Sequence, residues 1–157
     1  MDISSSHPGP AISVVVVEDN EDDRDLLVRQ LRRRNLADHV RFFSDGKEAL
    51  KFLSELPPPA PFIDLTAIFL DLKLPGLNGI KLLREIRRMP RVQNIPVIIM
   101  TASLDPKDFE ACLELKVAAF IPKPVTFDLF TAALTHLPYV LPPVYNKTTV
   151  QATARPD

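Results

Sequence analysis

The chain has 157 residues, 46% of them hydrophobic and 25% charged, and a formal net charge of −1. That suits one soluble domain with a real core, and predicts neither general nucleic-acid affinity nor adhesion to an anionic membrane. One cysteine, Cys112, excludes an internal disulfide and a multi-cysteine zinc site.

In chain order, residues 1–10 (MDISSSHPGP) lack the basic and apolar regions of a secretory signal and read as a disordered leader. No apolar run approaches the ~20 residues that span a bilayer, so a cytoplasmic chain is expected. Short apolar, β-branched runs then predict buried strands at 12–17, 40–43, 66–70, 95–100 and 117–121. Amphipathic stretches lie between them. The first, 21–34, repeats Leu27 and Leu31 at helical spacing. The second, 47–55, carries Ala49, Leu50 and Leu53. The third carries Ile80, Leu83 and Ile86 and must end near Pro90. The fourth opens on Asp105 as N-cap with Pro106 at the first helical position. In the last, Thr126 can cap and Val125 can staple onto Phe130, with Phe127, Phe130 and Leu134 facing inward.

Five strands alternating with five helices predict a doubly wound, parallel α/β sheet with helices on both faces. The proline cluster at 56–61 reads as a stiff surface loop. After Leu137 the chain is too proline-rich for helix, so 11–137 is the expected domain and 138–157 an extension, partly disordered.

Ligands of open α/β sheets bind at the carboxyl ends of the strands, so what each strand delivers there matters most. The first delivers Glu18 and Asp19, the third Asp71 followed by Leu72-Lys73-Leu74-Pro75-Gly76, the fourth Thr101-Ala102-Ser103, and the fifth Lys123-Pro124. Three carboxylates, a hydroxyl and a lysine on one edge are the inventory of metal-assisted phosphoryl transfer. Clustered carboxylates repel one another, and a hard cation such as Mg2+ relieves this while completing its shell with phosphoryl oxygens. Transfer itself is governed by positioning and charge neutralisation. Asp71 is the candidate nucleophile, with Mg2+, the Lys123 ammonium and the Thr101 hydroxyl on the phosphoryl oxygens.

Taken singly, each residue has an ordinary reading: acids before a helix, a turn cap, a strand-end hydroxyl, an exposed lysine. Together and in order, the segments VVVVEDN, IFLDLKLPGLNG, VIIMTAS and AAFIPKP resemble the receiver domains of two-component response regulators. The resemblance covers roughly residues 12–137. It implies the flavodoxin-like strand order 2-1-3-4-5, with Asp71 as phosphoacceptor and a Mg2+ site. Asp19, Asp71 and the backbone carbonyl of Lys73 would be the metal ligands, and Glu18 would act through water. Thr101 and Phe120 match the switch pair, Thr101 moving toward the phosphoryl group so that Phe120 turns inward. Lys123 matches the lysine that pairs with the phosphoryl group, and Pro124 the proline of a cis peptide. Phe120 stands where tyrosine is common, and Lys73 occupies a variable position.

The implied partner is a sensor histidine kinase. About twenty residues follow the last helix, too few for a DNA-binding domain, so output is expected through protein contacts. The EDNEDD opening and the tail resemble single-domain regulators paired with bacterial phytochromes, which implies a homodimer through the last two helices, the last strand and the tail; the apolar Tyr139, Val140, Leu141 and Val144 suit either that interface or packing back over their own last helix. Beyond self-phosphorylation and slow self-dephosphorylation no enzyme activity is expected. Two alternatives stand beside this reading: an aspartyl-phosphate hydrolase, disfavoured by Lys73 where a second carboxylate is usual, and a docking module independent of phosphorylation.

Overall fold

A computed structural model describes residues 13–56, 65–74, 76–102 and 105–135. The leader, most of the proline cluster at 56–61, Ser103, Leu137 and the tail residues from Tyr139 to Val144 lie outside the described residues.

Five strands, β1 (Val14–Val17), β2 (Val40–Phe43), β3 (Ala67–Asp71), β4 (Val97–Thr101) and β5 (Ala119–Pro122), form one parallel sheet of order β2-β1-β3-β4-β5. Between and after them come α1 (Glu21–Arg33), α2 (Gly46–Ser54), α3 (Gly79–Arg88), α4 (Pro106–Glu114) and α5 (Phe127–Thr135), with a short 3-10 turn at Ala37–His39 before β2. The doubly wound fold expected from the alternation is the one observed.

Strand side chains alternate between the faces with period two. Val15, Val17, Ile68, Leu70, Val97 and Ile99 meet Ala49 and Leu53 of α2, Leu82, Leu83 and Ile86 of α3, and Cys112 of α4. Val14, Val16, Ala67, Phe69, Ile98 and Met100 meet Leu27 and Leu31 of α1 and Phe130 and Ala133 of α5. Both faces are covered, which is why the strands are apolar without a break.

Four of the strands begin later than their apolar runs, β1 at Val14 rather than residue 12 among them. β4 starts at Val97 rather than residue 95, and β5 at Ala119 rather than 117. Ile95 and Val117 pack against the core from the loops, so the run of apolar residues marks burial, and pairing begins further on. β3 starts at Ala67 and ends on Asp71 itself, which is buried like the rest of that strand.

The helix ends carry the expected signals. Asp105 Oδ1 accepts from the amides of Lys107 (2.8 Å) and Asp108 (3.3 Å), with Pro106 at the first position. Thr126 Oγ1 accepts from the Leu129 amide at 3.2 Å, and Val125 and Phe130 share one core cluster. Across the face, Gln30 Oε1 accepts from the Phe127 amide at 2.6 Å, so α1 satisfies a free amide at the start of α5.

α4 ends in a left-handed turn. The Val117 amide donates to the Cys112 carbonyl and the Lys116 amide to Leu113, with Lys116 at φ 59°. Arg87 of α3 reinforces that end. Its Nε donates to Leu115 O (2.8 Å) and its guanidinium also to the carbonyls of Lys116 (3.2 Å), Ile95 (3.0 Å) and Gln93 (3.1 Å). One arginine thus joins α3, the end of α4 and the approach to β4.

Candidate functional site

Because the strands are parallel, their carboxyl ends share one edge, and the chemistry collects there. Glu18 and Asp19 follow β1 directly. Asn20 then caps α1, its side chain accepting from the Asp23 amide at 2.9 Å. β3 ends on Asp71, β4 on Thr101, and β5 one residue before Lys123. The Lys123 amide donates to the Thr101 carbonyl at 3.0 Å and ties the last two strand ends together. The Lys123–Pro124 peptide is cis.

Lys123 is the centre of the cluster. Its Nζ lies 2.9 Å from Asp71 Oδ2, 3.0 Å from Glu18 Oε2 and 3.5 Å from Asp23 Oδ2. The Asn20 amide donates to Glu18 Oε2 at 2.9 Å, and the Lys73 amide to Asp71 Oδ1 at 3.0 Å. Among the described residues the buried polar side chains are Glu18, Asp71 and Thr101, and all three sit at this edge. Buried polar groups gathered in one place, away from the ladder they interrupt, mark a site rather than a core.

The electrostatics follow from that burial. Glu18 is pushed up to about 7, chiefly by desolvation; the charge of Asp71 adds to this, and the Asn20 amide and Lys123 oppose it. For Lys123, burial alone would favour the neutral amine. Hydrogen bonds to Asp71 and Glu18 more than reverse that, so its ammonium is held above the ordinary lysine range and stays charged.

The donor set fits a hard cation. Carboxylate oxygens of Glu18, Asp19 and Asp71 all lie within 4.8 Å of one another. Glu18, Asp71 and Asp23 surround the one ammonium and Asp19 adds a fourth carboxylate to the cluster, an excess of negative charge that a divalent ion with oxygen ligands would balance. Sulfur and imidazole are absent from this cluster, which suits Mg2+ rather than a softer metal.

The loop after Asp71 is held by close backbone contact. The Gly79 amide at the start of α3 donates to the Leu72 carbonyl at 2.8 Å. A Cβ at Gly79 would lie 2.4 Å from Leu72 Cα and 2.7 Å from the Asp71 carbonyl oxygen, so only glycine lets α3 begin there.

The structure therefore brings together Glu18, Asp19, Asp71, Thr101 and Lys123. The Lys73 side chain is exposed, while its amide bonds Asp71. Phe120, the other half of the expected switch pair, lies in the core next to the site: it is 3% exposed, with its ring 5.1 Å from that of Phe109. Two contributors escaped the sequence reading: Asn20 as the cap and Asp23 as a partner of Lys123. The available signal was a cap residue followed three positions later by an acid, which puts that acid in the first turn.

A family model described as the response regulator receiver domain matches residues 14–135. Response regulator Rcp1 of Synechocystis is 29% identical over 119 residues, which cover 76% of this chain and 81% of Rcp1. Some curated relatives are much longer, the chain spanning 26% of one of them. Among solved structures, the bacteriophytochrome response regulator RtBRR shares 33% identity at a TM-score of 0.65, covering 80% of this chain and 77% of that one. The receiver domain of sensor histidine kinase PA1611 from Pseudomonas aeruginosa, solved with a magnesium ion in its active-site cleft, shares 25% identity at the same TM-score, covering 80% and 96%. With its fold, its strand-end acids and a family match over most of its length, the chain belongs to the response regulator receiver-domain family.

Proposed function

We propose that this chain is a phosphorylation-activated response regulator that accepts a phosphoryl group from a histidine kinase onto Asp71, with Mg2+ as cofactor. The observation that carries the reading is the environment of Asp71: a buried strand-end carboxylate, 2.9 Å from the Lys123 ammonium and grouped with Glu18 and Asp19. A carboxylate oxygen of Asp71 attacks phosphorus, the bond to the donor imidazole breaks, and the imidazole leaves with that electron pair. Lys123 already touches Asp71 Oδ2 and can follow the negative charge onto a phosphoryl oxygen. Thr101, buried at the neighbouring strand end, is positioned to add a hydroxyl. The Lys73 amide on Asp71 Oδ1 fixes the carboxylate plane.

Asp19, Asp71 and the Lys73 carbonyl would hold the metal, with Glu18 acting through water because Lys123 and the Asn20 amide already engage its Oε2. Bound there, Mg2+ would neutralise charge on the transferring oxygens.

The partner in this reading is a sensor histidine kinase. Similarity to the bacteriophytochrome response regulator RtBRR supports a phytochrome as its sensory part. For output we propose a homodimer through α4, β5, α5 and the segment after them; Leu113 of α4, 43% exposed, is an apolar residue available to it. Sedimentation with and without beryllofluoride tests this, and a monomer under both conditions would remove the dimer.

Acetyl phosphate with Mg2+ tests the central reading. Mass spectrometry should find one phosphoryl group per chain, lost in Asp71→Asn. Continuous turnover of acetyl phosphate would favour a hydrolase. Absence of labelling in a folded, Mg2+-bound protein would leave a docking module.

A further inference from the structure

Lys123 has three partners, and they are not equivalent. An ammonium offers three donors. Here three carboxylates surround it: Asp71 at 2.9 Å, Glu18 at 3.0 Å and Asp23 at 3.5 Å. Asp71 and Glu18 also belong to the group of carboxylates that converge within 4.8 Å, whereas Asp23 does not. A cation or a phosphoryl group at that cluster therefore draws on the first two partners of Lys123 and leaves the third.

We propose that Asp23 is the counter-ion that holds the Lys123 ammonium at the pocket when Glu18 and Asp71 are engaged by a cation. Its placement is built into the start of α1. The Asn20 side chain fixes the Asp23 amide at 2.9 Å, and the Asn20 amide bonds Glu18 Oε2 at the same distance. A single turn of chain thus delivers both a cation-side and a lysine-side carboxylate. Asp22, one residue earlier, is rotated away by the helix and exposed. Without Asp23, the ammonium's remaining partners are Asp71 and Glu18, so it competes there with the cation. Asp23 is a positioning residue, since it acts on Lys123 and not on the reacting atoms.

The inference rests on reading Glu18, Asp19 and Asp71 as a cation pocket, and the test separates the two. Mg2+ titrations of wild type, Asp23→Asn, Asp23→Ala and Asp22→Asn are followed by amide NMR, together with the 15N signal of the Lys123 ammonium. Removing one nearby charge and freeing Lys123 should weaken Mg2+ binding about fivefold or more in both Asp23 variants. The Lys123 ammonium signal should persist in Mg2+-loaded wild type and Asp22→Asn, and broaden in the Mg2+-loaded Asp23 variants. Asp23→Asn indistinguishable from wild type in both readouts would overturn the role. So would an equal effect of Asp22→Asn, which would reduce it to general surface charge. A wild type that binds no Mg2+ would overturn the pocket reading and the counter-ion role together. Failure of Asp71 labelling in a protein that does bind Mg2+ would strike only the phosphoacceptor.

Discussion

Gly79 and Gly46 allow the coupling between fold and site to be measured with one chemical change. Each is the first residue of a helix, each follows a side-chain cap (Asn78 and Asp45), and each is buried. They differ in what a methyl group would meet. At Gly46 the nearest atoms are the Leu77 carbonyl oxygen at 3.0 Å and the movable end of Leu74 at 3.4 Å. At Gly79 they are all backbone: Leu72 Cα at 2.4 Å, Asp71 O at 2.7 Å and Leu72 C at 2.9 Å. Ordinary carbon contacts are ~3.5–4.0 Å, so Gly79→Ala must part α3 from the chain after Asp71 by about 1 Å. Overpacking of that kind costs about 1–3 kcal/mol, and rigid backbone neighbours put this case at the upper end. Gly46→Ala should cost under ~1 kcal/mol, because its one tight contact, the Leu77 carbonyl oxygen, has to give only slightly and alanine regains helix propensity of ~0.5–1 kcal/mol. The difference, about 2 kcal/mol, corresponds to roughly 4–8 °C in midpoint for a chain of this size. Thermal unfolding of the two variants reads the stability. Mg2+ titration of the same samples reads the site, and only Gly79→Ala should lose affinity, since the displaced backbone leads directly from Asp71. Equal melting points and equal Mg2+ affinities in the two variants would refute the argument.

Three further outcomes follow from other contacts. Arg87→Ala removes four carbonyl bonds, of which those to Leu115 and Ile95 are partly buried; urea unfolding should show a loss of about 3 kcal/mol, against within ~0.5 kcal/mol for the exposed Arg84→Ala. Lys116→Gly relieves a side chain at φ 59° and should stabilise by about 0.5–1 kcal/mol, read as a raised melting point. Cys112 has its thiol pushed up from 9.0 to about 12 by burial, with the charge of Asp108 adding to it. A raised folded-state value contributes stability that is complete below about 9 and lost as pH climbs through about 12. At pH 8 the native thiol should react with a disulfide reagent only as fast as the chain opens, and immediate stoichiometric reaction would contradict its burial.

The sheet and most of the site were legible because both depend on strand ends. An apolar run in a parallel sheet stops where the chain reaches the functional edge, so Glu18, Asp71, Thr101 and Lys123 announce themselves by following such runs. Helical phase is harder to read. The run EDNEDD contains acids at five of six positions, and only the cap at Asn20 decides that Asp23 faces Lys123 while Asp22 faces solvent. In α3, Leu82 is fully buried beside Leu83 and Ile86, whereas Ile80 is half-buried, so the buried face is centred away from Ile80. Arg87 stands in a basic stretch and reads as an ordinary solvated arginine. Its role depends on loops from two other parts of the chain closing around it, which no local pattern carries.

Phe120 constrains how a signal can leave the site. It shares its core cluster with Val97, Ile99 and Cys112 and packs on Phe109. Emptying a buried phenylalanine slot costs about 3–5 kcal/mol when the side chain is deleted, and an outward ring would leave much of the same void. A switch that swings the ring out of this slot therefore has to offset a cost of that order. A bound group can shift an equilibrium only by its differential affinity for the two states. A full reversal between two ring positions requires ~5.5 kcal/mol of such differential affinity. A phosphoryl group on Asp71, as proposed, would also act on the end of β4, where Thr101 closes the strand and its carbonyl accepts from the Lys123 amide. Such a group would tighten the joint between β4 and β5 and, because Phe120 belongs to β5, bear on the strand that carries the ring.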